Sequence, residues 1–126
     1  MTILGIGVDI VHLPRIAALI ARRGREPLAK RILSPDEYTE FLQRCSSDRN
    51  IEQQVMYLGS RWCIKEATYK ALFPVHKLEW KQVTVAKDQG KPMLRILNSE
   101  AYGIRKAHVS LSHDTDYAVA QVILES

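Results

Sequence analysis

The chain has 126 residues, 46% of them hydrophobic and 25% charged, and its 18 Lys and Arg against 14 Asp and Glu leave a net charge of +4. This composition is typical of one globular domain over residues 1–126 and excludes a disordered or fibrous chain. No run approaches the ~18 apolar residues of a membrane span, and two cysteines are too few for a disulfide scaffold, so we expect an intracellular protein that does not enter a membrane.

The N-terminal half predicts one strand followed by helices. Ile3 to Val11 is a nearly all-apolar run, as in a buried strand, and Pro14 fits the first position of a helix that Gly24 ends. The capping box Ser34-Pro35-Asp36-Glu37 begins a second helix. A longer helix is predicted from about Glu52 to Leu72.

The C-terminal half changes to the alternating period of strands. Four strands are predicted, at 81–86, 93–97, 108–112 and 117–124. A short helix over 99–106 is predicted between the second and third of them. The predicted fold is therefore α+β: an early strand, a helical block, and then a mostly antiparallel sheet.

The surplus of positive charge lies at the N-terminal end of the chain. Residues 1–31 hold six bases and two acids, a surplus of four, whereas the remaining 95 residues hold twelve of each. A local surplus favours a docking face for an acidic partner, because a nucleic-acid-binding protein more often spreads its basic charge. The alternative is a solvated helix face that binds nothing.

Asp9 interrupts the apolar first strand. An isolated buried carboxylate is costly unless it is paired or binds a metal, and Gly5 and Gly7 just before it allow another element or a ligand to approach closely. Alternatively, Asp9 caps the helix that begins near Pro14.

Glu66 and Lys70 lie four residues apart on the long helix, on one face and in the favourable order. The simplest interpretation is an exposed ion pair. However, Trp62 lies one turn earlier and places the pair at the edge of an apolar stripe. A carboxylate beside an ammonium group at that edge could hold a hard cation and a phosphate together.

Ser110, Ser112 and His113 form a third candidate site, at the end of a predicted strand. A nucleophilic triad with Asp114 or Asp116 is conceivable, but neighbours in a turn rarely converge in that way. Phosphate binding by hydroxyl and imidazole groups is the better functional hypothesis, with ordinary turn chemistry as the alternative.

In order and spacing, these segments resemble the holo-acyl-carrier-protein synthase family, the short type of 4′-phosphopantetheinyl transferase. The resemblance runs nearly end to end and is carried by Gly5-Ile6-Gly7-Val8-Asp9-Ile10, Arg31-Ile32-Leu33-Ser34-Pro35-Asp36-Glu37, Arg61-Trp62-x-x-Lys65-Glu66-Ala67-x-x-Lys70-Ala71, Gly90-Lys91-Pro92, Ser110-x-Ser112-His113 and Tyr117-Ala118-x-Ala120-Gln121-Val122. It implies the phosphopantetheinyl transferase fold, usually assembled as a homotrimer with active sites between subunits. It also implies an activity in fatty acid biosynthesis: transfer of 4′-phosphopantetheine from coenzyme A to a serine of an acyl carrier protein, with release of adenosine 3′,5′-bisphosphate.

The resemblance also implies roles for individual residues. Asp9 and Glu66 would coordinate Mg²⁺ on the pyrophosphate of coenzyme A, and Lys70 would contact the phosphates, so that these three form the catalytic set. His113 and the turn Gly90-Lys91-Pro92 would hold the nucleotide. Either Glu66 or a metal-bound water would accept the proton of the acceptor serine.

Such carrier proteins are acidic, and the resemblance implies that Arg15 matches a position where the family presents a basic residue to the carrier. Arg22 is predicted to steer the encounter with the carrier. One segment departs from the family: Leu72–Lys77 contains a proline where many bacterial members have a glycine-rich loop. This departure suggests a eukaryotic member, so the expected compartment is the cytoplasm or the mitochondrion, although a strand beginning at Ile3 leaves no room for a cleavable presequence. The alternative function is a non-catalytic basic module that docks an acidic protein or RNA, with Asp9 and Glu66 purely structural.

Overall fold

The computed structural model describes residues 2–45 and 50–126, which form five strands and four helices. In chain order these are β1 (Ile3–His12), α1 (Leu13–Arg23), α2 (Arg25–Ile32), α3 (Pro35–Arg44), α4 (Ile51–Leu72), β2 (Val83–Asp88), β3 (Lys91–Ile96), β4 (Lys106–Asp114) and β5 (Tyr117–Glu125). The predicted α+β order of an early strand, a helical block and antiparallel strands is confirmed.

The strands form two antiparallel sheets. β1, β5 and β4 make a three-stranded sheet with β5 in the middle, and β2 and β3 form a separate hairpin. One face of the three-stranded sheet packs on α4, and the small residues Ala118 and Ala120 of β5 are completely buried there. The core therefore lies between α4 and this sheet, while the hairpin packs at the side.

The glycines of β1 allow α4 to lie directly on the strand. A Cβ atom at Gly7 would come within 1.7 Å of the carbonyl oxygen of Ala67, and one at Gly5 within 1.7 Å of that of Ala71. Such distances are impossible for any side chain, so only glycine permits this contact. The close approach predicted for these glycines is confirmed, and the approaching element is α4.

The start of α3 follows the predicted capping box. The hydroxyl of Ser34 accepts a hydrogen bond from the Glu37 amide at 3.5 Å, and the Glu37 carboxylate accepts one from the Ser34 amide at 2.9 Å. Because both of these side chains are buried, the cap also fixes Glu37 inside the protein, where it meets α4 and β2.

Helix α2 is absent from the sequence prediction. Gly24 does end α1, as expected, but its positive φ of 87° redirects the chain into a new helix instead of a loop. Pro27 does not prevent this, because an amide hydrogen is not needed in the first helical turn. Leu28 and Ile32 then supply the buried side of α2.

Two boundaries in the C-terminal half also differ from the prediction. Residues Trp80–Gln82 form a 3₁₀ turn, so β2 begins at Val83, later than expected. The predicted helix over 99–106 is only a 3₁₀ turn at Ser99–Tyr102. Among the described residues, no helix has the length and apolar character needed to cross a lipid bilayer.

Candidate active site

Asp9 and Lys70 meet across the contact between β1 and α4. The Lys70 ammonium lies 3.0 Å from Oδ1 of Asp9 and donates a second hydrogen bond to the Val8 carbonyl at 3.2 Å. Asp9 shares a face of β1 with Gly5 and Gly7, which explains why its side chain points towards α4. It does not cap α1, because His12 holds that position and makes no side-chain cap bond.

Glu66 completes this group of charged side chains. Burial raises the pKa of Glu66, the neighbouring charge of Asp9 raises it further, and Lys70 lowers it. The carboxylates of Asp9 and Glu66 are thus close enough to repel each other, with Lys70 as the nearby positive charge. Lys70 forms its ion pair with Asp9 across elements, and its charge also lowers the pKa of Glu66, so the three side chains interact as one group. We call Asp9, Glu66 and Lys70 the acidic cluster.

The acidic cluster has the composition of a magnesium site. Mg²⁺ is usually held by one or two carboxylates, together with waters and substrate phosphates. Within residues 2–45 and 50–126 no group of three or more His, Cys, Asp or Glu side chains is placed to hold a metal. Asp9 and Glu66 lie where β1 meets α4, and their two carboxylates could hold a cation. That cation would take its remaining ligands from a substrate.

The buried thiol of Cys63 packs against the main chain of Asp9, next to the acidic cluster. The Cys63 thiol donates weak hydrogen bonds to the Asp9 carbonyl at 3.2 Å and the Ala118 carbonyl at 3.6 Å. Burial raises the pKa of Cys63 to about 12, so this thiol is protonated and unreactive. Cys63 is therefore a packing residue between α4, β1 and β5.

The residues predicted to hold a nucleotide lie elsewhere. Gly90, Pro92 and His113 line a pocket of about 390 Å³ together with Arg61 and Arg44, which we call the hairpin pocket. Lys91 begins β3 and is exposed beside this pocket instead of lining it. The structure thus brings two of the three residues of the predicted turn together with the predicted histidine.

The hairpin pocket and the acidic cluster lie on opposite faces of α4. Ile64 lines the hairpin pocket, whereas Glu66 faces β1. Two residues apart on an α-helix means a rotation of roughly 200°. One chain therefore presents two separate groups of predicted site residues, one on each side of the helix.

Strand β4 excludes a catalytic triad. His113 and Leu111 line the hairpin pocket, and alternation along the strand directs Ser110 and Ser112 to the opposite face. Because the hydroxyls and the imidazole point to opposite faces of the sheet, they cannot act together. His113 remains available to the pocket.

Both arginines predicted to bind a partner are exposed on α1. The Arg15 guanidinium carbon lies 5.7 Å from the ring centre of Trp62, a cation–π contact, while Arg22 extends from the last turn of the helix. Since Trp62 is one turn before Glu66, Arg15 is placed beside the acidic cluster, and Arg22 lies further along the same helix.

Comparison with known proteins identifies the family. The family model of the 4′-phosphopantetheinyl transferase superfamily matches residues 5–122. The chain belongs to this superfamily. It is 41% identical to the holo-[acyl-carrier-protein] synthase of Klebsiella pneumoniae, with 100% of both chains covered.

Solved structures of phosphopantetheinyl transferases share the fold. Holo-[acyl-carrier-protein] synthase from Neisseria meningitidis gives a TM-score of 0.84 at 32% identity, over 99% of this chain and 100% of that one. The enzyme from Bacillus anthracis, solved in complex with CoA (3′,5′-ADP), gives 0.77 at 29% identity, over 100% of this chain and 99% of that one. These bacterial relatives give no support to the mitochondrial origin suggested by the segment Leu72–Lys77.

Two arginines that line the hairpin pocket, Arg61 and Arg44, had no role predicted from the sequence. Arg61 is part of the motif that carried the resemblance, but its position inside a helix gave no sign that it would line a pocket. Arg44 ends α3 and becomes a pocket residue only because α3 packs beside the hairpin. The signal available in the sequence was the motif itself, not the chemistry of either residue.

Proposed function

We propose that this protein is a holo-[acyl-carrier-protein] synthase, which transfers 4′-phosphopantetheine from coenzyme A to a serine of an apo acyl carrier protein. The observation that carries the proposal is the acidic cluster of two carboxylates and one lysine, in a chain of the 4′-phosphopantetheinyl transferase superfamily. The names of the relatives from Klebsiella pneumoniae and Neisseria meningitidis support the same reaction.

The reaction exchanges the phosphoanhydride bond of the coenzyme A pyrophosphate for a phosphate ester of the carrier serine. The serine oxygen of the carrier bonds to the phosphorus that bears pantetheine, and the bond from that phosphorus to the bridging oxygen breaks. Adenosine 3′,5′-bisphosphate leaves with the bridging oxygen, and the serine proton passes to a base. Positioning and charge neutralisation supply most of the catalysis in such a transfer.

The acidic cluster suits this chemistry. Asp9 and Glu66 would hold Mg²⁺, which supplies positive charge to the pyrophosphate when it is bound. Lys70 lies 3.0 Å from Asp9 and is half exposed, so its ammonium can turn from the carboxylate towards a phosphate oxygen. Either Glu66 or a metal-bound water would accept the serine proton.

The hairpin pocket is the second part of the proposed site. Arg61 and Arg44, which both pair with Glu40, bring guanidinium groups to the pocket that could bind phosphates, and Gly90, Pro92 and His113 complete its wall. Because this pocket lies across α4 from the acidic cluster, one coenzyme A molecule would bind the hairpin pocket of one chain and the acidic cluster of its neighbour.

The outer face of the three-stranded sheet supports assembly into the proposed homotrimer. Ile6, Val8 and Ile10 of β1 alternate with the glycines and are 56%, 56% and 61% exposed. A row of large apolar side chains on an edge strand is typical of an interface between subunits. Three copies joined through these faces would bring the two parts of the site together.

The test measures the intact mass of an apo acyl carrier protein after incubation with this protein, coenzyme A and Mg²⁺. We expect a phosphopantetheine adduct that does not form in EDTA. The isosteric changes Asp9→Asn and Glu66→Gln should each reduce the transfer rate by about 100-fold or more while the protein stays folded. If several carrier proteins give no adduct, a non-catalytic docking module becomes the better explanation.

A further inference from the structure

Lys65 is a completely buried cation beside the hairpin pocket. Its ammonium donates hydrogen bonds to Oε1 of Glu37 at 2.6 Å, to the Trp80 carbonyl at 2.8 Å and to the Val83 carbonyl at 2.5 Å. All three ammonium protons therefore have acceptors, as a buried lysine requires. These bonds join α4 to α3 and to the start of the β2–β3 hairpin.

Glu37 is the centre of this network. Besides the bond from Lys65, its carboxylate accepts hydrogen bonds from the Ser34 amide at 2.9 Å and from the Val85 amide, also at 2.9 Å. Glu37 is only 2% exposed. Since Val85 also lines the hairpin pocket, the carboxylate fixes one wall of that pocket against α3 and α4.

Arg61 is the second cation next to Glu37. Its Nε lies 3.9 Å from Oε2 of Glu37, and its guanidinium stacks 3.7 Å above the ring of Tyr57. Among the described residues, this Nε is the one buried side-chain polar atom that has no hydrogen-bond partner. The Tyr57 hydroxyl lies 3.0 Å from the Glu37 main-chain carbonyl and 2.8 Å from Oε1 of Glu40, which also lies 3.5 Å from the Arg61 guanidinium, so Glu37 and Glu40 hold Arg61 together.

Two walls of the hairpin pocket thus depend on one ion pair. The hairpin that carries Gly90 and Pro92 is joined to Lys65 and Glu37 through main-chain hydrogen bonds, and Arg61 is held beside the same carboxylate. We propose that the buried Lys65–Glu37 pair is a positioning device that holds the hairpin and Arg61 in the geometry that binds the nucleotide end of coenzyme A. This inference rests on the function proposed above.

The alternative is that the pair only stabilises the fold. A buried ion pair gains little net stability, because the desolvation of both charges offsets their attraction, and neutral replacements of similar size are often tolerated. Methionine at position 65 cannot donate hydrogen bonds to the Trp80 and Val83 carbonyls, and glutamine at position 37 has one acceptor oxygen where the carboxylate has two. The two explanations therefore make different predictions for binding and for stability.

The main test is the double variant Glu37→Gln/Lys65→Met, which removes both charges of the pair and leaves the Arg61 guanidinium its contact with Oε1 of Glu40 at 3.5 Å. We expect it to fold with a melting temperature near that of the wild type, while KM for coenzyme A and Kd for adenosine 3′,5′-bisphosphate, measured by calorimetry, both rise roughly 10- to 100-fold. KM for the carrier protein should stay within about twofold. The matched control is Leu28→Ala, which weakens the core on α2 and should lower the melting temperature without changing either nucleotide constant.

A second variant covers the case in which the double variant does not fold. Glu37→Asp keeps the charge but withdraws the carboxylate by one methylene group, and it should raise the same two constants by a smaller factor. Nucleotide constants within about twofold of the wild type in a folded variant would overturn the positioning role.

If the wild type binds adenosine 3′,5′-bisphosphate but modifies no carrier, the proposed function fails, and the binding constants still test the ion pair. A wild type that binds neither nucleotide would overturn both proposals.

Discussion

The ionised carboxylate of Glu66 destabilises the folded protein. Burial and the charge of Asp9 both raise its pKa, which means that the folded protein binds the Glu66 proton more tightly than the unfolded chain does. Ionisation of Glu66 therefore destabilises the native state, and this contribution grows as the pH rises from below the pKa of the unfolded chain through the raised pKa of the folded state. A residue that opposes folding in this way, beside the ion pair of Asp9 and Lys70, is typical of a binding site for a cation.

The first prediction tests this state of Glu66. At pH 7.5 without divalent cations, Glu66→Gln should melt a few degrees above the wild type, and the difference should vanish near pH 4, where the carboxylate is protonated. Differential scanning calorimetry over this pH range measures it. Addition of Mg²⁺ should raise the melting temperature of the wild type and not of the variant. A variant that is less stable than the wild type at pH 7.5 would contradict the repulsion between the two carboxylates.

The second prediction concerns Arg15. Its contact with Trp62 holds the guanidinium one helical turn from Glu66, so a carrier docked there would present its serine to the acidic cluster. Arg15→Glu should raise KM for the carrier about tenfold and leave KM for coenzyme A unchanged. Steady-state kinetics with each substrate varied in turn measures both. Lys106→Glu makes the same charge change at an exposed position on β4 and should alter neither constant; equal effects of the two variants would mean that only net charge matters.

At the scale of elements, the α4–β1 contact depends on glycine. Gly7→Ala would place a methyl group 1.7 Å from the Ala67 carbonyl oxygen, so the helix must move off the strand. We expect a loss of about 3 kcal/mol in the free energy of unfolding, measured by urea denaturation. Transfer activity should fall in the protein that remains folded, because Asp9 and Glu66 separate.

Gly103→Ala is the matched control for this change. Gly103 also has a demanding backbone, with a positive φ of 74°, but a Cβ atom added there would meet no other atom within 4 Å. The strain should cost only about 1–2 kcal/mol, and the acidic cluster should keep its activity. A Gly7→Ala variant as stable and active as Gly103→Ala would show that the helix–strand contact is looser than the structure indicates.

The elements that sequence analysis predicted are those with local signals. The capping box marks α3 through bonds within four residues, and the Gly5–Gly7 pair marks a close contact because glycine is so rarely placed in a strand without a reason. Helix α2 was missed because its signals conflict: Gly24 and Pro27 resemble a turn, and only burial of its apolar side against the rest of the protein makes it helical. The ion pair of Lys65 with Glu37 joins residues 28 apart, and no local pattern predicts it.

For the whole molecule, the sequence predicts candidate site residues but not their division into two groups. The family resemblance assigns Asp9, Glu66, Lys70 and His113 to one reaction and leaves open which of them share a surface of the chain. The structure places His113 in the hairpin pocket and the other three across α4 from it. The proposed homotrimer would bring the two groups together between neighbouring chains, and we propose the exposed apolar row on β1 as its contact surface.

The last prediction tests this division by mixing inactive chains. A Glu66→Gln chain keeps its hairpin pocket, and a His113→Ala chain keeps its acidic cluster, so mixed assemblies of the proposed homotrimer should contain intact sites formed between neighbours. In a ring of three that holds both kinds of chain, about one site in three combines two intact halves, and transfer activity should recover to about that fraction of the wild type. Co-expression with two affinity tags and tandem purification isolates the mixed trimers, and native mass spectrometry confirms their mass.

The control is a mixture of Glu66→Gln with Asp9→Asn chains, whose activity must not recover, because both changes damage the acidic cluster. If the Glu66→Gln and His113→Ala mixture is no more active than its parents, the acidic cluster and the hairpin pocket do not act together across subunits. Coenzyme A would then have to reach both of them around α4 within one chain.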